Sequence, residues 1–541
     1  MRYALFLIIA ILISESSLSA DDFDVVVYGG TSAGVMAAIQ VKRMGHSVVL
    51  IEPGDHIGGL TSGGLGLTDS GDKSVIGGLS REFYQRVKKH YDDEKNWTSD
   101  NRETFATYRK NDDAMWVFEP HVAEEILMKM LEEAKIKVVR NERLLRTDKG
   151  LLIQDKTIEY LMTKNSHMYR GKMFIDATYE GDLMALAGVR YTVGREANKT
   201  YGETMNGVAR SWNKFNHRFN VDVDPYIVSG DPKSGLLPTI EKELPADSEG
   251  DNRIQAYCYR MCLTNDPKNR LPFSKPADYD ERRYELLLRN YEAGDKRFAG
   301  LPFVLDKMPN KKTDSNNCGP VSTDNIGMNY DYPEANYSKR EAIIKEHLNY
   351  QQGLMWTLAN HPRVPKLTRD KMKIWGLAKD EFADNLGWSH QLYIREARRM
   401  VGQYVHSELD CTRKRETPTP VGMGSYNMDS HNVTRYVNKQ GFVQCEGDVQ
   451  EKPGGPYPIA YGSIIPKYGQ CPNLLVPVCV SSSHIAYGSI RMEPVFMVLG
   501  HSAATAACLA IDSGVSVQKL DTAKLTQRLL DDKQVLTFSQ K

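Results

Sequence analysis

The first regular feature of the chain is a run of β-branched residues, Val25 to Val27, that closes on Tyr28 and stops at two glycines. A short run that is apolar at every position, not at alternate ones, predicts a parallel strand buried on both faces. Gly29, Gly30 and Gly34 follow as a tight turn, residues 35–44 have helical composition, and residues 48–51 form a second buried run closed by Glu52. That order predicts a β-α-β unit. A second glycine-rich stretch, Gly58-Gly-Leu-Thr-Ser-Gly-Gly-Leu-Gly66, comes soon after it. Helical patterning returns over 76–90 with a basic, solvated face and gives way to a polar, irregular stretch over 92–112. It is clearest over 118–134, where Val122, Ile126, Leu127, Met130 and Leu131 share one face. Residues 137–140 predict a short strand, and 151–153, 158–163 and 169–174 a small meander. Its last member runs on through Phe174-Ile-Asp-Ala-Thr-Tyr-Glu-Gly-Asp182 into a helix containing 183–187.

Beyond about residue 190 the pattern changes. Tyrosine, asparagine, arginine and proline become frequent up to about residue 450, with helical patches at 284–292 and 338–352. The chain then turns apolar again. Residues 473–480 predict a buried strand, 481–488 a polar turn, and Arg491-Met-Glu-Pro-Val-Phe the start of a helix that continues in small residues through 500–510. A proline in the first turn suits a helix start. This arrangement predicts an α/β protein with a Rossmann-type cofactor domain split in sequence. Its first part would cover 21–190 and its C-terminal part 451–515. An α+β substrate or cap domain would be inserted over 191–450, and a tail would occupy 516–541.

Strand, glycine turn, helix, strand and acid in that register have the logic of a dinucleotide site. The glycines let backbone approach a pyrophosphate, the helix N-terminus offers unpaired N–H groups, and Glu52 stands where a carboxylate accepts from an adenosine ribose. Set against G-x-G-x-x-G, Gly29 and Gly34 match and Thr31 replaces the middle glycine. The segment from Gly58 would line the same ligand, and Asp176 ends a third strand directed at it. Two polar clusters of the insertion, Gln391-Leu-Tyr-Ile-Arg-Glu-Ala-Arg-Arg399 and Gly424-Ser-Tyr-Asn-Met-Asp-Ser-His431, mix arginine with tyrosine. Arg395, Arg398, Arg399, Tyr426 and Asn427 are the substrate-binding candidates, since such mixtures suit sugars or carboxylates.

Composition narrows the class. The 541 residues carry 69 basic and 69 acidic side chains, which excludes nucleic acid or an anionic membrane as the main partner. Residues 1–20 read as a cleaved secretory signal: Arg2, an apolar stretch over 4–13, then small and mostly polar residues. The apolar stretch is too short to span a bilayer, so a secreted or periplasmic protein without a membrane span is expected. Export permits disulfides. The eight cysteines are nonetheless scattered, with no zinc-type spacing, and no metal site is expected.

Taken together, residues 28–34, 58–66, 176–182 and 491–497 resemble the FAD-dependent oxidoreductase family with a glutathione-reductase-like fold, particularly its exported bacterial members. The resemblance implies FAD, held by Gly29, Gly30, Thr31, Ser32, Ala33 and Gly34, with Glu52 on the adenosine ribose. It also implies Gly58, Gly59, Asp176, Ala177 and Thr178 around the cofactor, and Met492 and Glu493 near the flavin. Hydride removal from an alcohol or amine leaves a proton for a base. His484, expected in the turn before the last helix, is the first candidate, and His431 the second. The expected activity is hydride transfer to flavin from a small polar, carbohydrate-derived molecule outside the cytoplasm, with an unidentified electron acceptor. A non-redox flavin lyase or isomerase and a glycan-binding protein without cofactor are the alternatives. A nicotinamide-only dehydrogenase is disfavoured by the second glycine segment and the returning C-terminal strand and helix.

Overall fold

The computed structural model describes residues 20–213, 217–295 and 303–538. The expected leader at 1–20 lies outside them, apart from Ala20. The central strand β1 (Ala20–Tyr28) carries Val25, Val26 and Val27 without exposed surface, as its unbroken apolar run requires. Helix α1 (Ser32–Arg43) follows, then β2 (Val48–Ile51), α2 (Gly78–Asp92), α3 (Pro120–Glu133), β3 (Lys137–Val139), β4 (Leu151–Gln154), β5 (Thr157–Met162), β6 (Met168–Asp176) and α4 (Asp182–Leu186). The sheet runs β3-β2-β1-β6-β5-β4. Strands β3, β2, β1 and β6 are parallel, while β4 and β5 form the antiparallel meander on the outer side of β6.

A second, five-stranded antiparallel sheet comes from the insertion: β7 (Met261–Thr264), β8 (Arg270–Leu271), β9 (Phe303–Met308), β10 (Lys312–Asn317) and, after helix α5 (Tyr337–Asn360), β11 (Gly376–Ala378). Its order is β8-β11-β7-β10-β9. Helix α5 is joined to the segment leading into β7 by the buried Gln351, whose amide accepts from Tyr259 N–H and donates to Tyr259 C=O, both at 2.8 Å. This helix extends past the expected 338–352 because Leu354, Met355 and Leu358 keep its inner face buried. Gly353 hides that continuation in sequence, and the structure shows its purpose. A Cβ there would stand 2.0 Å from the Tyr284 hydroxyl.

The C-terminal return differs from the expected pattern. Only β12 (Leu474–Leu475) pairs, parallel to β6, and the stretch 481–488 expected as a turn contains helix α6 (His484–Ile490). The reason lies in Ser483, whose hydroxyl caps α6 by accepting from Ala486 N–H, and in apolar neighbours that bury all of α6. Helix α7 (Glu493–Ser513) then crosses α1 closely enough that a Cβ on Gly500 would lie 2.2 Å from Ala33 O. By length and composition α7 could cross a membrane, yet 89% of its most apolar window is buried inside the protein. The expected tail carries helix α8 (Thr522–Asp531). No disulfide joins any cysteines among the described residues, and seven of the eight are buried.

Register aligns the strand ends. Tyr28 is level with Ile51 and with Asp176, and Ile175 with Leu475. The C-terminal ends of the parallel strands therefore share one rim, the place where open α/β sheets bind ligands.

Candidate functional site

Four separate stretches of sequence meet at that rim. Gly29 adopts φ +105°, and a Cβ there would come 2.8 Å from Ala177 C, so the turn after β1 lies directly on the turn after β6. Thr31 joins the same two turns. Its hydroxyl donates to Ala177 O at 2.7 Å and accepts from Gly34 N–H as the cap of α1. A threonine thus fits where the general fingerprint has glycine because its side chain folds inward. The loop from Gly58 closes over these turns through Gly58 N–H to Gly30 O at 2.7 Å.

The start of α7 ties the four stretches together. The buried carboxylate of Glu493 accepts from the hydroxyls of Ser32, Thr61 and Tyr179, one from each of the other three motifs. Tyr179 in turn accepts from Leu60 N–H at 2.8 Å. Asp176, expected at the cofactor, spends its carboxylate on the loop. It accepts from Thr178 N–H, Thr178 hydroxyl and Met184 N–H, and burial pushes its pKa up to about 6. Its role is to shape the turn that carries Ala177 and Thr178.

Between these motifs runs a cleft of about 900 Å³, counting its open mouth, walled by Tyr28, Gly29, Thr31, Glu52, Thr178 and Tyr179. The donor set suits a dinucleotide. The cleft lies at parallel strand ends, faces the first turn of α1, and ends in the carboxylate of Glu52, which accepts from Gly30 N–H at 2.7 Å and Gly54 N–H at 2.6 Å. Those bonds leave lone pairs for ribose hydroxyls. Burial raises the Glu52 pKa from an ordinary 4.5 to about 7, against the pull of the two N–H donors. Folding of the apoprotein is therefore favoured fully below the ordinary value, and that contribution is lost as the pH rises toward 7. Ribose hydroxyls favour the ionised carboxylate, so cofactor affinity has the opposite slope. We expect the dissociation constant of FAD, followed by flavin fluorescence, to fall up to about tenfold per pH unit below 7 and to level off above it. Glu52→Gln should flatten that profile.

Residues 389–399 lead from the cleft into a second polar site. Gln391 and Leu392 line the cleft, and the next residue, Tyr393, lies among guanidinium groups. Arg395 stacks on its ring at 4.3 Å, and its hydroxyl accepts from Arg491 Nη1 at 3.0 Å. Arg395 pairs with Asp324 at 3.0 Å, Asp324 with His431 Nδ1 at 2.8 Å, His431 Nε2 with Asp429 at 3.4 Å, and Asp429 with Arg491 at 3.0 Å. Arg260 closes the wall with a bidentate pair to Asp314. Asp69 receives the hydroxyl of Tyr426, and burial lifts its pKa. His431 and Asp429 are the partly exposed members of this cluster, with side-chain exposures of 13% and 17%.

The expected substrate arginines take other positions. Arg398 is committed to Asp182 and Glu334, and Arg399 to Glu196, Glu396 and the carbonyls of Gly194 and Ser482. Their charges are spent on ion pairs inside the protein, which corrects the expectation that Arg398 and Arg399 bind substrate. Arg395 does face the chamber, paired with Asp324. Tyr426 and Asn427 are half-buried, Tyr426 at the chamber through Asp69. His484 is 2% exposed, with Nδ1 at 2.7 Å from Glu396 and Nε2 at 3.0 Å from the Ser430 hydroxyl. Both its nitrogens are occupied inside the core, so it has none for a substrate, and the expected role as first base does not fit. Asp324, Asp429, Arg260, Asp69 and Tyr393 are not among the site residues expected from sequence. Asp429 and Tyr393 lie within the two polar clusters at 424–431 and 391–399, whereas Asp324 carries no local signal.

A family profile described as FAD dependent oxidoreductase matches residues 24–529. No curated protein matches the chain. Similar solved structures include L-proline dehydrogenase from P. horikoshii, at 17% identity over 33% of this chain and 59% of that one, with a TM-score of 0.23. L-amino acid deaminase from Proteus vulgaris aligns at 15% identity over 33% of this chain and 54% of that one, TM-score 0.23. THI4 of Thermovibrio ammonificans aligns at 15% over 32% and 66%, TM-score 0.23. The alignments span less than two thirds of these structures' own lengths.

Proposed function

The chain belongs to the FAD-dependent oxidoreductase family, and from that premise we propose that it oxidises a small, neutral, polyhydroxylated molecule of carbohydrate type outside the cytoplasm. The observation that carries this reading is the charge pairing in the chamber. Arg260, Arg395 and Arg491 each face an aspartate, and Asp69, Asp306, His217 and His431 add further carboxylates and imidazoles around them. Such a surface offers many donors and acceptors and little net positive charge, which suits hydroxyl groups better than a carboxylate or phosphate.

The bound flavin supplies the hydride acceptor. The chain's own residues bind the substrate and move the proton. His431 is the base: Asp324 accepts from Nδ1–H and fixes the ring, and Nε2 faces the looser 3.4 Å contact, where a substrate hydroxyl would enter. As the carbon–hydrogen bond gives up its hydride, the hydroxyl proton passes to Nε2, and Asp429 beside it stabilises the resulting imidazolium. Tyr393 and the arginines around it orient the substrate and exclude water. The leader-like residues 1–20 support action outside the cytoplasm.

The test is the visible spectrum of the purified holoprotein mixed anaerobically with sugars, sugar acids and amino acids. Bleaching of the flavin bands by a neutral sugar or polyol is the expected result. Bleaching by acids or amino acids alone would refute the substrate class.

A further inference from the structure

A histidine on the wall of the cofactor cleft, His390, is stacked on a second histidine behind it. His56, four residues beyond Glu52, and His390, just ahead of Gln391, stack with ring centroids 3.9 Å apart and planes within 10°. Glu124 of α3 lies 3.1 Å from one nitrogen of His56 and Asp384 lies 2.8 Å from the other. These carboxylates hold it as an imidazolium, with a pKa pushed up to about 9. Burial and that charge below push His390 down to about 4, although Glu124 and Asp384 pull the other way. Phe382 meets the His390 ring edge-on at 5.7 Å.

A neutral imidazole offers one donor and one acceptor. Neither nitrogen of His390 has a hydrogen-bond partner among the described residues, and both are shielded from water. Yet His390 is one of the residues that line the cleft, as are Glu52, Pro53 and Gly54. Leaving a buried donor and acceptor unpaired is costly, and native proteins rarely do so without a ligand or water to complete them. A half-turn about the Cβ–Cγ bond exchanges nitrogen and carbon positions. With no hydrogen bond to break, that turn would place a nitrogen where a ring carbon now stands. The end of β2, where Glu52 is expected to hold the adenosine ribose, lines the same cleft.

We propose that His390 is an anchoring residue for the adenosine portion of FAD, with His56 as its charged support. The proposal rests on FAD as the cofactor and not on the substrate class, so an error in the substrate would leave it standing. Its test is direct titration of the apoprotein with FAD and with FMN, which lacks the adenosine portion, read by flavin fluorescence. His390→Ala should weaken FAD binding about tenfold or more and leave FMN binding unchanged. His390→Gln, which keeps a donor and an acceptor, should restore part of the loss. Unchanged FAD affinity in His390→Ala overturns the proposal, as does an equal loss for FAD and FMN. Should His390→Ala not fold, the FAD-to-FMN affinity ratio of His390→Gln decides. A ratio below that of the unaltered protein supports the contact, and an unchanged ratio refutes it.

Discussion

Replacing Glu493 by alanine is expected to yield a protein that retains no flavin and unfolds several degrees earlier. The carboxylate is fully buried and accepts from Ser32, Thr61 and Tyr179, which belong to the start of α1, the glycine loop and the turn after β6. Removing it leaves buried hydroxyl donors without an acceptor, at about 1–3 kcal/mol each. It also frees three motifs that must stand in fixed relation to form the cleft. Positional errors there affect binding more steeply than stability, because each motif contributes one wall. Glu493→Gln separates the two effects. The amide keeps the shape and one acceptor oxygen but turns N–H donors toward hydroxyls that also donate, so we expect a folded protein with reduced flavin content. Thermal unfolding and flavin absorption on the same samples check both. Full flavin content in Glu493→Ala would show that the motifs hold their places without this node.

The motifs were legible because each is a local pattern with a mechanical purpose. The strand–turn–helix at Gly29 to Gly34, the loop from Gly58, the turn after Asp176 and the helix start at Glu493 all sit at the rim of one sheet. The sequence could not show that Glu493 binds the other motifs, since its partners lie hundreds of residues away. The same limit explains His484. A serine-rich stretch after an apolar run reads as a turn, but here Ser483 caps a helix that the surrounding core encloses. It explains the arginines as well. Arg398 and Arg399 look like ligand-binding residues in a linear cluster, and only the fold reveals Asp182, Glu196 and Glu396 beside them. Asp324 lies in an unremarkable polar stretch, and its partners Arg395 and His431 come from 71 and 107 positions further on. Local patterns found the cofactor side, and long-range charge pairing built the substrate side.

That pairing makes the second large effect specific. His431→Ala should leave flavin content intact, because His431 stands outside the cleft, and should slow anaerobic flavin reduction by about 10²–10⁴. A structural role alone could also slow the reaction, so Asp429→Asn is the sharper comparison. It keeps the size of the side chain and an oxygen for Arg491, and it removes one of the two negative charges beside the imidazole. The imidazolium that forms as Nε2 takes the proton is then less stabilised, so anaerobic flavin reduction should slow in Asp429→Asn while flavin content stays unchanged. An unaltered rate in Asp429→Asn, or in His431→Ala, would assign the proton to another group of the chamber. Asp69, whose carboxyl is half-buried with Tyr426 as its donor, is the group with the geometry to take it.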